Sequence, residues 1–417
     1  MKTTIKYFAL AIIAMLTLPT VAQNQRDLDN FRYRDQRGIN QFEAPKDTVS
    51  TFDGLHVRIG GASTIQFQDL DQENSGAVEL NDLEGNFNLA TANLDLDVAL
   101  YDGVRMHLRT YLSSQHHNEA YVKGGYIQID KLDFIRKGFA EGLMDHMRVK
   151  IGHMENNYGD AHFRRTDNAM ALYNPFIGNY LMDSFTTEVG AEVYYFGGPW
   201  LAMVGFTNGK LNQSTIEVDT ELSWLAKFGY DNQITDNFRL RLTGSVFASP
   251  QRQYGSRGST QYLYAGDRAG TRYYNVMEGS FRAGRINPDF GEELTSFMFN
   301  PFIKYGGLEF FGIIEVATGG SVDAIPEKED ITWNHYAAEL IYRFGTDDDI
   351  FVGARYNTAN DDDVSVNRFN LGAGWFLTKN ILLKGEYVNQ EYNDYPTGNL
   401  FEDAQFNGVM LEAVISF

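Results

Sequence analysis

Tyr336-Ala337-Ala338-Glu339-Leu340-Ile341-Tyr342-Arg343-Phe344 alternates with a period of two. Tyr336, Ala338, Leu340, Tyr342 and Phe344 share one face, and Ala337, Glu339, Ile341 and Arg343 the other. Period two over such a length is the signature of a β-strand. The same pattern places Val104, Met106, Leu108, Thr110 and Leu112 opposite Arg105, His107, Arg109 and Tyr111. It also places Phe238, Leu240, Leu242, Gly244 and Val246 opposite Arg239, Arg241, Thr243 and Ser245. Full charges on the second face exclude an ordinary sandwich core, but a membrane barrel with lipid outside and water inside accepts them.

Extended along the chain, the pattern predicts an all-β, transmembrane antiparallel β-barrel of sixteen strands. They fall at 55–69, 86–100, 104–113, 119–130, 147–154, 186–196, 200–207, 221–230, 238–248, 294–305, 308–318, 333–344, 350–358, 365–376, 381–390 and 404–417. The fourth and seventh are ambiguous in facing. The stretch 250–293 has room for another hairpin, so eighteen strands is the alternative count. Every second connection is short, as at Tyr101-Asp102-Gly103, Gly197-Gly198-Pro199 and Gly306-Gly307, whereas 70–85, 155–185, 249–293, 319–332 and 391–403 are long. Short periplasmic turns and long extracellular loops are the outer-membrane arrangement. One periplasmic connection, 131–146, is longer and holds Phe134, Ile135, Phe139 and Leu143, which suits a short helix. Turn lengths set the register. Lys304 is expected opposite Glu309, Asp95 opposite Arg109, Asp97 opposite His107, and Glu339 opposite Arg355.

Residues 1–22 read as a cleaved signal peptide: Lys2 and Lys6, an apolar run from Tyr7 to Leu18, then Thr20-Val21-Ala22. Residues 23–50 read as a polar, flexible periplasmic segment, with a plug or partner-binding peptide as the lesser alternative because 28 residues are too few for a plug domain, and 51–417 read as the barrel. The chain has 417 residues, no Cys and a net charge of -20. A disulfide framework and thiolate metal sites are excluded, and a nucleic-acid partner is not expected. The outward aromatics Tyr195, Tyr230, Phe238, Tyr305, Phe344 and Trp375 sit near short turns, and Phe67 and Tyr356 near loop ends, as in an interfacial girdle.

The chain ends Val409-Met410-Leu411-Glu412-Ala413-Val414-Ile415-Ser416-Phe417, with alternate residues apolar back from Phe417. This resembles the closing strand of bacterial outer-membrane barrels, whose terminal aromatic is read by the barrel assembly machinery. With sixteen strands the chain resembles the porin superfamily, most closely Bacteroidota porin-like and phosphate-selective porin type proteins. The most local element is Ile151-Gly152, then Asn156-Asn157-Tyr158-Gly159, then a long loop. The resemblance implies a homotrimer in outer-membrane lipid and lipopolysaccharide, with loop 155–185 folded into the lumen as a constriction. That loop carries Asp160, His162, Arg164, Arg165 and Asp167. It is mixed in charge rather than acidic, and has no lysine-rich segment, so neither cation selectivity nor phosphate specificity is carried over.

The predicted lumen wall adds Arg105, Arg109, Asp95, Asp97, Arg239, Arg241, Glu188 and Glu192. Across all predicted inward charges the wall is slightly basic, which suggests a weak anion preference. Arg105, Arg109, Arg164 and Arg165 are the expected contributors; the alternative is that they pair with Asp95, Asp97 and Glu188 to hold the wall. No Gly-x-Ser-x-Gly elbow, nucleotide fingerprint or His-x-x-x-His spacing is present. Asp160 with His162 is a weak acid–base pair without a nucleophile, and His116-His117 with Glu119 reads as a solvated rim. No cofactor or resident metal is expected. The expected function is passive diffusion of small hydrophilic solutes or ions, not enzymatic. A non-conducting barrel acting as scaffold or secretion partner is the alternative, with an outer-membrane hydrolase behind it. An infolded 155–185 supports the channel; a lumen filled by 23–50 or 249–293 favours the scaffold.

Overall fold

A computed structural model describes residues 28–113, 117–166, 169–208, 222–250, 262–265, 273–277, 284–321 and 330–417. The predicted signal peptide, His116 and Asp167 lie outside the described residues, as do the side chains of His117 and Glu119.

Sixteen strands form one closed antiparallel barrel in which each strand pairs with its neighbours in the chain. They are β1 (His56–Glu73), β2 (Asn86–Tyr101), β3 (Val104–Ser113), β4 (His117–Ile129), β5 (Met147–Glu155), β6 (Thr187–Gly197), β7 (Trp200–Thr207) and β8 (Ser223–Thr235). Then follow β9 (Phe238–Ser249), β10 (Phe290–Tyr305), β11 (Leu308–Ser321), β12 (Ile331–Phe344), β13 (Ile350–Asn360), β14 (Ser365–Thr378), β15 (Ile381–Asn393) and β16 (Gln405–Ser416). β1 pairs with β16, and Gly61 and Phe417 exchange two backbone hydrogen bonds of 3.0 Å at the seam. Closure at sixteen settles the count against eighteen: the described part of 250–293 before β10 holds only the short helix Tyr262–Ala265. Each anticipated pairing is present: Lys304↔Glu309, Asp95↔Arg109, Asp97↔His107 and Glu339↔Arg355.

Sidedness follows from the alternation. Leu340, Leu371 and Leu411 are exposed on the outer wall, where lipid replaces water as their partner, while Glu309, Glu315 and Glu339 inside are at most 1% exposed. Tyr195, Tyr305, Phe344 and Trp375 are exposed beside the short turns. Gly306 takes φ +55° in the β10–β11 turn, a conformation most side chains resist. The longer connection on this rim contains the helix Glu141–Met144, with Phe134, Ile135, Phe139 and Leu143 exposed.

The interior departs from a simple water-filled tube. Residues 156–160 and 169–187 are buried throughout, so the β5–β6 connection folds into the lumen. It crosses to the far wall. Arg355 donates to Gly178 O and Asn174 Oδ1, and Lys384 donates to the carbonyls of Ala171, Asn174 and Phe176. Ile177, Tyr180, Leu181 and Met182 join a core that includes Leu201, Met203, Leu225, Phe247 and Phe302 from the wall. The facing of β7 was ambiguous because its inward residues, Leu201 and Met203, are apolar and pack on this core. Residues 263–264, 273–277 and 284–289 add to the filling: Tyr264 donates to Glu315 at 2.8 Å, and Ile286 N to Leu181 O at 2.9 Å.

Residues 28–50 correct the expected flexible periplasmic tail. Phe31, Arg32, Asp35, Asn40 and Phe42 are buried against lumen-facing side chains. The stretch is polar in composition, but its arginines and aromatics find partners inside: Arg32 lies 4.0 Å from the Tyr173 ring centroid, and Phe42 packs edge-on to Phe302 at 5.4 Å.

Candidate functional site in the lumen

Three layers meet inside the barrel: the wall, the infolded loop and residues 28–50. Asp160 begins the loop's single turn of 3-10 helix, Ala161–Arg164. The chain reaches it through Gly159 at φ +66°, where an added Cβ would lie 2.2 Å from Met298 Sδ. Any larger residue there would adopt a strained left-handed backbone and would have to displace the Met298 side chain. Asp160 then receives Arg241 Nε and Nη2 at 2.8 Å each, Thr243 Oγ1 at 2.8 Å and Lys227 Nζ at 2.7 Å. Burial raises its carboxyl, yet Arg241 and Lys227 outweigh that and hold it well below the usual carboxylate range. Glu43 closes the cluster, 2.8 Å from Arg241 and 3.0 Å from Lys227.

Most expected wall charges are paired. Arg109 grips Asp95 with two hydrogen bonds, 2.7 and 2.6 Å. Asp97 receives Arg105 at 2.9 Å and lies 2.9 Å from His107 Nδ1. Arg239 binds Asp231 through two bonds and Asn40 O at 3.0 Å. Arg164 bonds Glu339 and Asn40, and Arg165 takes both oxygens of Asp183. Glu192 accepts from Asn157 N and Tyr194, and Glu188 from Thr207 and Thr186. The geometry therefore matches the pairing alternative for Arg105 and Arg109, with Glu339 and Asp183 as the partners of the two loop arginines. Asp160 and His162 are joined through Lys227 and Asn157: His162 meets Asn157 Oδ1 at 3.0 Å and Glu155 at 3.5 Å, and Lys227 donates to that same Asn157 oxygen at 2.8 Å while binding Asp160. Burial lowers His162 against the pull of Glu155, which favours the neutral ring.

A cavity of about 110 Å³ lies between β3–β5, the infolded loop and residues 31–44. Its lining includes Arg32, Arg34, Arg105, Arg109, Lys123, Arg148 and Lys150 against only Glu43 and Glu155. Arg105, Arg109 and Arg148 are answered by Asp97, Asp95 and Asp130. Arg32 instead donates to Gly38 O and Phe163 O, and no carboxylate among the described residues lies within 4 Å of it or of Arg34. The Lys150 ammonium is 3.7 Å from Glu192. Burial brings Arg32 down to about 10, which leaves it a cation at neutral pH. The sequence reading omitted Lys123, Lys227, Arg32 and Arg34. Lys227 was recoverable, since it alternates with the outward Trp224 and Phe228; the two arginines carry no periodic signal.

Glu43 gives a pH prediction. Burial raises its carboxyl, but Arg241 and Lys227 bring it from 4.5 down to about 2. A depressed carboxylate stabilises above its unfolded pKa, and the contribution disappears as pH falls toward the folded one. Glu43→Gln is expected to destabilise by about 3 kcal/mol at pH 7. The gap to the parent chain should shrink below pH 4.5 and vanish near pH 2. Denaturant titrations across that range measure it; a gap constant with pH would contradict the assignment.

No family model matches the chain, and no curated protein matches it. Solved structures do. An anion-selective porin from Comamonas acidovorans superposes with TM-score 0.56 at 13% identity, covering 87% of this chain and 100% of that one. The outer-membrane channel DcaP of Acinetobacter baumannii gives 0.51 at 12%, covering 87% and 98%. Salmonella typhi OmpF, in complex with daunomycin, gives 0.52 at 11%, covering 88% and 98%. The chain has the closed sixteen-stranded barrel fold of the outer-membrane porins.

Proposed function

We propose that this chain is an outer-membrane channel for small hydrophilic solutes and ions, exported through residues 1–22, with its short turns periplasmic and its long loops outside. The observation that carries this reading is a closed barrel, apolar outside, that encloses a basic cavity between wall and infolded loop. Sixteen strands enclose enough cross-section for a lumen that only inserted segments narrow. The reading extends to a homotrimer in lipid and lipopolysaccharide, with Phe417 as the residue read by the assembly machinery. An outer-membrane protein of Vibrio cholerae in a trimer form has the same fold, with TM-score 0.51 at 11% identity over 88% of this chain and 100% of that one. No chemical step is assigned.

The preference we propose is for anions. The field at the cavity comes from Arg32 and Arg34, and from Lys150, whose only ion pair among the described residues is the long one to Glu192 at 3.7 Å, rather than from Arg164 and Arg165, whose charges are matched at hydrogen-bond distance by Glu339 and Asp183. Reversal potential across a KCl gradient in a planar bilayer tests it. The parent protein is expected to show anion preference, and Arg34→Gln with Lys150→Gln together to move it toward cations. Cation preference in the parent would overturn the selectivity reading.

A second reading has its own observation. The infolded loop, residues 28–50 and the described parts of 262–289 bury the inward carboxylates almost completely, with Glu386 and Glu412 at 3% the most exposed of the predicted set. A barrel filled this way suits a non-conducting scaffold. Folded, heat-modifiable protein that gives no current steps would favour it over the channel.

A further inference from the structure

Residues 28–50 form a loop closed at its own neck. Asp29 accepts from Thr51 N and Thr51 Oγ1, both at 2.7 Å. Asn30 and Asp47 bond each other in both directions, each backbone N–H to the other's side chain. A segment whose ends meet while its middle packs on itself and its host has the closed neck of an Ω-loop, here longer than the usual span of about 6–16 residues and turned into the barrel. This one enters at the rim of short turns. Gln36 N donates to Lys379 O at 2.8 Å in the β14–β15 turn, and Gln36 Nε2 to Asp347 O in the β12–β13 turn. Ser416 Oγ donates to Arg34 O at 2.6 Å. Farther round the ring Lys46 meets Asp130, and Arg148 donates to the carbonyls of Ala44 and Pro45. The tip carries Asn40, Phe42 and Glu43 inward to Glu309, Phe302 and Arg241. The loop thus spans the mouth from the β14–β16 side to the β4–β5 side.

Two features separate it from the barrel wall. None of its residues belongs to a strand, so withdrawing it breaks no rung of the ladder. Two cavities abut it: Phe31, Arg32, Arg34, Phe42 and Glu43 line the 110 Å³ space, and Leu28, Asp29 and Asn30 line another of about 30 Å³. With the loop gone, both spaces open toward the short-turn rim.

We propose that residues 30–49 are a withdrawable plug that sets the periplasmic aperture of the channel. Seated, it narrows the lumen to small conductance; withdrawn, it leaves the wall intact and the passage wide. The proposal rests on the channel reading, and its test separates the two.

The chain has no native cysteine, so an introduced pair is unique. Gln36→Cys with Lys379→Cys joins residues whose backbones are already hydrogen-bonded at 2.8 Å, within the reach of a disulfide. A second variant replaces 30–49 by a short Gly-Ser linker, which the closed neck permits. Single-channel recordings compare both with the parent. The linker variant is expected to conduct several-fold more per step. The parent should show brief excursions to that larger level; the oxidised cysteine pair should lack them, and reductant should restore them. Equal step size in parent and linker variant would overturn the plug and leave the channel standing. Excursions that persist in the oxidised pair would overturn withdrawal, leaving a fixed constriction. Silence from all three folded proteins would overturn the channel reading and the plug with it.

Discussion

Asp160→Asn is expected to lower the unfolding free energy by about 3–5 kcal/mol, the usual cost of removing one partner from a buried ion-pair cluster. Asp160 is fully buried and receives Arg241 twice, Lys227 and Thr243. Asparagine keeps the shape and removes the charge. Two buried cations then share Glu43, at 2.8 and 3.0 Å, and Arg241 keeps Asp231 at 3.1 Å, while Lys227 has lost its shortest ion pair. The low dielectric that makes the paired cluster strong makes the orphaned charge costly. Exposed Asp362, on the loop between β13 and β14, supplies the control, and Asp362→Asn should stay within about 0.5 kcal/mol. Guanidinium titrations in detergent, followed by heat-modifiability, give both numbers. A loss under about 1 kcal/mol for Asp160→Asn would mean that water solvates the cluster, and the interior would have to be read as open and wet.

That interior marks the boundary of what the sequence could reveal. The strands were legible because a barrel wall imposes period two on every residue and lipid tolerates no charge on the outer face. Glu339 opposite Arg355 and Asp95 opposite Arg109 were legible because turn length fixes register once sidedness is known. The infolded loop followed from the length of the fifth connection and the family resemblance. Leu201 and Met203 left the facing of β7 ambiguous for a physical reason: an inward apolar residue makes sense only beside an apolar filling, and nothing in its own strand announces one. The interior role of residues 28–50 was only the lesser alternative for a related reason. Their arginines and aromatics obey no period, and their partners, Lys379, Ser416 and Arg148, are contributed by distant turns and strands. Composition reads such a stretch as polar linker, while the fold uses it as interior.

Leu371→Arg should cost about 2–4 kcal/mol for folding into lipid vesicles, the penalty for a cation facing lipid at the bilayer midplane. Leu371 lies at the middle of β14, exposed on the outer wall, paired with Ala354 on β13 and Tyr387 on β15. Its neighbour Asn370 points inward and is fully buried, accepting no lipid contact. The same substitution at Leu377, also exposed but near the short-turn end of the same strand, should cost only about 0–1 kcal/mol, because the arginine there reaches the headgroup layer. Denaturant titration of vesicle-folded protein measures the pair, and the difference between the two sites is the informative quantity. A midplane cost that exceeds the rim cost places β14 across the hydrocarbon with Trp375 near its interface. Equal costs at both depths would contradict the depth assigned to β14, and with it the placement of the short-turn rim, which residues 28–50 meet through Lys379, at a membrane interface.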